Sequence, residues 1–422
     1  MRAAFASSWA LLLGIALLML GNGLQGSLLG LRASIEGFPT AVTGLVMSGF
    51  YVGFLAGSAA TPHILGRVGH IRVFAALASI LSSVVLLHAV FVTPMSWTAM
   101  RLVSGFCIAG LYVVAESWLN DCATQETRGQ ILSVYMVLVM GGMAAGQMLL
   151  NLADPGGFEL FVLISVLVSI ALVPILLTVA PAPRFDAPSK LGLARLYAIS
   201  PLGVLGCLAT GMSNGAVVGM GAVYARELGF SVGRISLFMG IVFFGAVLLQ
   251  WPIGRLSDRF DRRRVITLTT TLAALIALVP AAAPTLPAPA LFALMGVFGG
   301  LSFPLYALCV AHANDYLEPD QMVSASAGLV FAGGLGALIG PVAVASVMAQ
   351  SGPAGFFWFL AAAHAAIGLF AIWRMTRRAA PPLDEQGAFV NVAPAAPVAT
   401  AWAVETAHED DPPATEPDPG ED

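Results

Sequence analysis

"LYVVAESWLND" (residues 111–121) and "LYALCVAHAND" (residues 305–315) share the frame Leu-Tyr…Asn-Asp at a separation of 194 residues. The same shift carries Gly105 onto Gly299, while Arg101 falls on Met295, Glu116 on Val310 and Arg128 on Met322. Each stretch closes an apolar run of helical length. Such a period inside 422 residues predicts two tandem halves in which one copy has kept charges that the other has lost.

The composition supplies the medium. The chain is 58% hydrophobic and only 10% charged, with a mean hydropathy of +0.87, far from the average for water-soluble domains. Ten of the 23 acidic residues lie after residue 378 with no Lys or Arg among them, so the remaining body carries 19 basic residues against 13 acidic ones. Spanning ~30 Å of hydrocarbon takes about 20 helical residues. Twelve such runs occur, at about 9–31, 43–65, 71–92, 96–119, 129–152, 158–180, 201–224, 233–254, 264–284, 288–311, 323–349 and 354–374. The first follows Met1-Arg2 but is too long for a secretion signal and is taken as a span.

The expected architecture is an all-α membrane protein of twelve helices in two pseudo-symmetric six-helix bundles, residues 1–180 and 200–375. The segment 181–199, with its prolines and charges, is read as a cytoplasmic linker. Residues 376–422, rich in Ala, Pro and acid, are read as a disordered cytoplasmic tail. Basic residues set the orientation. With the N-terminus inside, fifteen Lys and Arg fall on cytoplasmic segments, against Arg32, Arg226 and Arg234 outside, so both termini are expected in the cytoplasm.

Several turns carry a known pattern. "GRLSDRFDRRR" (254–264) joins the eighth and ninth runs and resembles the loop signature G-x-x-x-D-R-x-G-R-R of the major facilitator superfamily, with Asp261 in place of the second glycine. "PHILGRVGHIR" (62–72) is its weaker copy, keeping Arg67, Gly69 and Arg72 but placing Gly66 where the aspartate would stand. "RLVSG" from Arg101 resembles the family's fourth-helix R-x-x-x-G, and "GMAAGQ" (142–147) its fifth-helix G-x-x-x-G-P, with Gln147 for proline. The stretches "LQWPIGRLSDRF" and "VVAESWL" resemble more narrowly the YcaD-like branch of bacterial inner-membrane facilitators. The resemblance implies a facilitator fold and a secondary transporter that moves a small organic solute by alternating access. The energetic mode expected is proton coupling; a cargo is not implied.

The charged residues have physical readings of their own. A carboxylate in a rigid turn can dock on the positive end of a neighbouring helix. Asp258, beside Arg259, is expected to latch onto the start of the fifth span at Arg128, while the mirrored pair, Gly66 and Met322, has lost its charges. Arg101, Gly105, Tyr112 and Glu116 share one helical face at 3.6 residues per turn. Glu116 has three open readings: a gate carboxylate paired with Arg67, Arg72 or Arg128, a proton acceptor, or a solvated helix-end charge. Arg101 either snorkels to the outer headgroups or turns inward to attract an anionic group.

A midplane site between the halves would draw on the few polar residues there: Asn22, Gln25, Arg101, Tyr135, Gln147, Asn214 and Tyr306. Their largely uncharged character favours a neutral or amphipathic solute. The cysteines are isolated and His88, His312 and His364 are scattered, so neither a disulfide nor a metal or other cofactor is expected. Neither G-x-x-x-x-G-K-[ST] nor H-E-x-x-H occurs, and the G-x-S-x-G frame is met only as "GMSNG" (211–215) inside an apolar run of helical length instead of at a strand-to-helix turn, which argues against ATP-driven transport and a membrane enzyme. The partners expected are a small-molecule substrate, protons and the lipid bilayer, with no nucleic acid, for a monomer. A transport-inactive sensor or scaffold acting through the acidic tail is the rival.

Overall fold

The computed structural model describes residues 2–177, 192–283 and 285–379, and the short pieces 381–382, 386–387 and 389–390; side chains are described except at 2–7, 125, 126, 128, 319, 320 and 323. Residues 181–191 of the linker, most of the tail and the Arg128 side chain, all named above, therefore lie outside the described residues.

The first half comprises α1 (Arg2–Ile35), α2 (Thr40–Val68), α3 (His70–Val90), α4 (Pro94–Cys122), α5 (Gln125–Met148) and α6 (Glu159–Leu176). A short α7 (Leu193–Ile199) precedes the second half: α8 (Pro201–Glu227), α9 (Val232–Arg259), α10 (Arg262–Ala282), α11 (Ala288–Ser302), α12 (Pro304–Asn314), α13 (Pro319–Ser351) and α14 (Gly355–Met375). Among the described residues, twelve stretches are long and apolar enough to cross a membrane, six in each half. The run expected at 288–311 is two helices, α11 and α12, broken at Phe303. Pro304 lacks the N–H that would continue the ladder, and its ring crowds the preceding turn.

Helix starts follow local chemistry. Thr93 accepts from Ser96 N ahead of Pro94, and Ser200 accepts from Gly203 N ahead of Pro201. Asp261, the departure from the loop signature, caps α10 by accepting from Arg263 N at 3.0 Å.

The tandem repeat appears as matched close approaches. A Cβ on Gly105 would strike Phe50 O of α2, and one on Gly299 would strike Val242 O of α9. On the central helices, Gly23 abuts Met143 and Gly146 abuts Leu20, while Gly215 abuts Ala337 and Gly340 abuts Met212. Each pair is displaced by 192 to 194 residues between the halves. Lipid tails provide no hydrophobic drive between helices, so small residues that let backbones approach carry the packing.

Side-chain hydrogen bonds join the halves at one end. Among the described residues these are Thr40 to Glu227 (2.8 Å), Ser48 to Leu338 O (2.7 Å) and Asn151 to Ser236 (2.7 Å), all on the face where α1 ends and α2 begins. Arg67, Arg72, Arg255, Arg259, Arg264, Arg377 and Arg378 are exposed on the other, arginine-rich face. Toward that face α5 and α9 separate. Gly240 still packs on Ala144 and Met148, but Val137 and Trp251, further along the same helix faces, are 49% and 64% exposed.

Candidate functional site

Between the halves, at mid-height, lies a cavity of about 120 Å³. Its walls come from α1, α2, α4 and α5 on one side and from α8, α9, α13 and the α11–α12 break on the other. Phe50, Tyr51, Phe54, Tyr112, Phe243 and Phe303 give it aromatic surface, and Met140 and Met143 give it thioethers. Its amides are Asn22 and Asn214, which are 192 residues apart and occupy matching places on α1 and α8. No Asp, Glu, Lys, Arg or His is among the described lining residues.

The Asn214 amide is held from behind. Ser302 donates to Asn214 Oδ1 at 2.9 Å, and both Ser302 and Ser213 touch His364 Nε2, at 3.1 and 3.0 Å. Asn214 Nδ2 is left without a hydrogen-bond partner among the described residues. Asn214 itself lines the cavity, and its Nδ2 is buried within that wall. Among the described residues, Asn22 Nδ2 reaches only Met143 Sδ, at 3.5 Å.

The other residues expected at a midplane site have different places. Gln147 is a clamp: its Nε2 donates to Gly23 O at 2.8 Å and its Oε1 accepts from Ser27, tying α5 to α1. Gln25 and Tyr306 are fully buried away from the lining. Arg101 is 5% exposed, so it turns inward and does not snorkel. Its guanidinium carbon sits 4.4 Å from the centroid of Phe50, one layer behind the wall. Tyr135 donates to Glu116 Oε1 at 2.6 Å, both side chains being fully buried, which removes the reading of Glu116 as a solvated helix-end charge.

The aromatic and methionine lining escaped the sequence reading, because hydropathy is the same for a side chain facing lipid, core or cavity. The available signal was angular: Tyr112 shares the face of Gly105 and Arg101, and Phe50 and Phe54 stand one turn apart on the glycine-rich face of α2.

On the arginine-rich face, Asp258 Oδ1 accepts from Phe389 N at 2.7 Å. Arg262, buried, binds Ser257 Oγ (2.9 Å), Asp315 Oδ1 (2.5 Å) and Gly387 O (2.6 Å). Gly387 and Phe389, in the stretch expected to lack structure, are thus seated on the bundle, because this turn offers them a carboxylate acceptor and a guanidinium donor. Burial pushes the Asp315 carboxyl up to about 6 in spite of the Arg262 guanidinium beside it. Burial would raise Asp261 too, but the hydrogen bonds from Arg263 hold it below its ordinary value.

Comparison with known proteins places this geometry. A model of the Major Facilitator Superfamily matches residues 202–406. A protein of Escherichia coli O7:K1 named as an MFS-type transporter, YcaD, is 30% identical over 343 residues, covering 80% of this chain and 88% of its own length. Its counterpart in Escherichia fergusonii is 27% identical over 340 residues, with the same coverage. Among solved structures, a single-residue mutant of the nucleoside transporter NupG aligns with a TM-score of 0.76 at 13% identity, covering 87% of this chain and 99% of that one. A bacterial homolog of the human lysosomal transporter Spinster, inward-facing and unoccupied, aligns at 0.68 and 13% identity, covering 98% and 99%.

Proposed function

Since this chain belongs to the major facilitator superfamily, we propose that it carries a small, uncharged, largely apolar organic molecule with at least one hydrogen-bond acceptor across the bacterial inner membrane. The observation that carries this reading is the cavity lining: aromatic rings and thioethers from both halves, two matched asparagines and no charged group. A formal charge brought into such a wall would lose its hydration without a partner, at a cost of several kcal/mol. An acceptor oxygen or nitrogen on the cargo would instead meet Asn214 Nδ2.

Transport proceeds by alternating access. The halves are bonded on one face and parted on the arginine-rich face, which the basic-residue count assigns to the cytoplasm; both termini lie there. The cavity is then open inward, and the cycle closes that side while opening the other. Protons supply the coupling through Glu116, an acidic residue of a membrane span with no solvent exposure, held by the Tyr135 hydroxyl.

Purified protein in liposomes, tested against neutral, cationic and anionic aromatic solutes with and without a pH gradient, checks the reading. Uptake confined to neutral solutes and accelerated by the gradient is expected. Preferential uptake of charged solutes would overturn the cargo class, and flux indifferent to the gradient would overturn the coupling.

A further inference from the structure

The seat of Gly387 and Phe389 on α9 is also the surface that α5 needs. On α9, Gly240 packs on Ala144 and Met148 of α5, and Ser236 bonds Asn151 in the turn that follows α5. At 100° per residue, Gly254 falls at the same angle as Ser236, and Asp258 falls at the angle of Gly240. All four lie within about 40° on one helix face. That face is zipped to α5 at one end and is free of it at the other, where Val137 of α5 and Trp251 of α9 are exposed.

The chain's own tail covers the free end. The Phe389 ring lies against Gly254, close enough that a Cβ there would stand 2.6 Å from Phe389 Cδ1. Its N–H is bonded to Asp258, and Arg262 grips Gly387 O while pairing with Asp315. An aromatic ring on a glycine, flanked by a carboxylate acceptor and a guanidinium donor, is a fitted seat for an extended peptide. It takes up both the flat surface and the carboxylate that a closing α5 would use.

We propose that Gly387 and Phe389 form an internal wedge that holds the arginine-rich face open by occupying the α9 surface on which α5 closes. The tail then sets the rate of the cycle, since every closure must first lift the wedge from Gly254 and free Asp258. The inference rests on the alternating-access reading, so its test reads a distance and not a flux.

Spin labels at Gln130→Cys on α5 and Leu256→Cys on α9, both exposed positions, report the separation of the two helices in the full chain, with Cys107, Cys122, Cys207 and Cys309 replaced. In Phe389→Asp, and in a chain stopped after residue 379, the ratio of short to long separations should rise roughly ten-fold, the order expected when one buried aromatic contact is withdrawn from one of two states. Distance distributions unchanged in both variants would overturn the wedge. A shift in the distances without any measurable flux would leave the wedge standing and count against the transport reading alone.

Discussion

The Tyr135 hydroxyl donates to Glu116 Oε1 over 2.6 Å, joining α5 to α4 through a carboxylate with no solvent exposure. Deleting the donor removes a buried hydrogen bond to a carboxylate, which costs about 1–3 kcal/mol. Tyr135→Phe should therefore lower the unfolding midpoint in detergent, while Glu116→Gln, which keeps an acceptor but carries no proton, should abolish gradient-driven accumulation and spare solute exchange. Accumulation that still responds to the gradient in Glu116→Gln removes this residue from the coupling.

Asn214 is the better placed of the two cavity asparagines, because Ser302 fixes its carbonyl and its Nδ2 has no protein partner among the described residues. Asn214→Ala should raise KM by roughly ten-fold with little change in kcat, the loss of one hydrogen bond present in both ground and transition states. Asn214→Asp should cost more, since it brings an uncompensated charge into an aromatic wall. Initial-rate measurements over a range of solute concentrations separate the two effects.

The two-bundle fold is legible in the repeat, because Gly105 and Gly299 are matched by sterics: each lies where only a glycine lets two helix backbones meet. Asn22 and Asn214 stand out for the opposite reason, as amides in stretches otherwise dominated by apolar and small residues. Gln147 has the same appearance in the sequence, and only its bonds to Gly23 and Ser27 show it to be a clamp between helices. A polar side chain at mid-span announces that it has a partner but not whether that partner is cargo or backbone. The contact of Asp258 with Phe389 spans 131 residues, and composition after residue 375 points to disorder; a single apolar ring meeting a glycine leaves no periodic trace.

Arg101 touches the cavity wall through Phe50. Its guanidinium lies over the ring at 4.4 Å, and Nε has no hydrogen-bond partner among the described residues. A desolvated cation–π contact is worth about 2 kcal/mol or more. In a double-mutant cycle of Arg101→Met and Phe50→Leu, the effects on thermal unfolding should couple by about 1–2 kcal/mol. Additive effects would mean that the ring and the cation act independently.

The Asp315 carboxyl, raised to about 6 from an ordinary 3.8, gives a pH signature outside the spans. A raised folded-state value means that its stabilising contribution is complete below about 3.8 and is lost as pH climbs through about 6. Asp315→Asn deprives Arg262 of its carboxylate at every pH, but it cannot titrate. The unmodified protein should therefore lose up to about 3 kcal/mol relative to the variant between about pH 4 and 6. Unfolding midpoints of the two proteins that run parallel across this range would rule out the burial effect.

Gly44 lies in the seam at the opposite face. A Cβ there would stand 2.7 Å from Pro341 O and would also meet Ala345 Cβ, so α2 and α13 close on a position with no room for a side chain. Gly44→Val should prop this seam apart and disfavour the conformer that has Ser48 bonded to Leu338 O a turn further along. The cavity should then become reachable from that side: a cysteine placed at Asn22 should react faster with a membrane-impermeant thiol reagent added to right-side-out vesicles. Since the wedge at Phe389 and the seam at Gly44 act on opposite ends of the same two bundles, combining Gly44→Val with Phe389→Asp should shift the population further than either alone. An unchanged labelling rate in Gly44→Val would show that the two faces do not open and close in alternation.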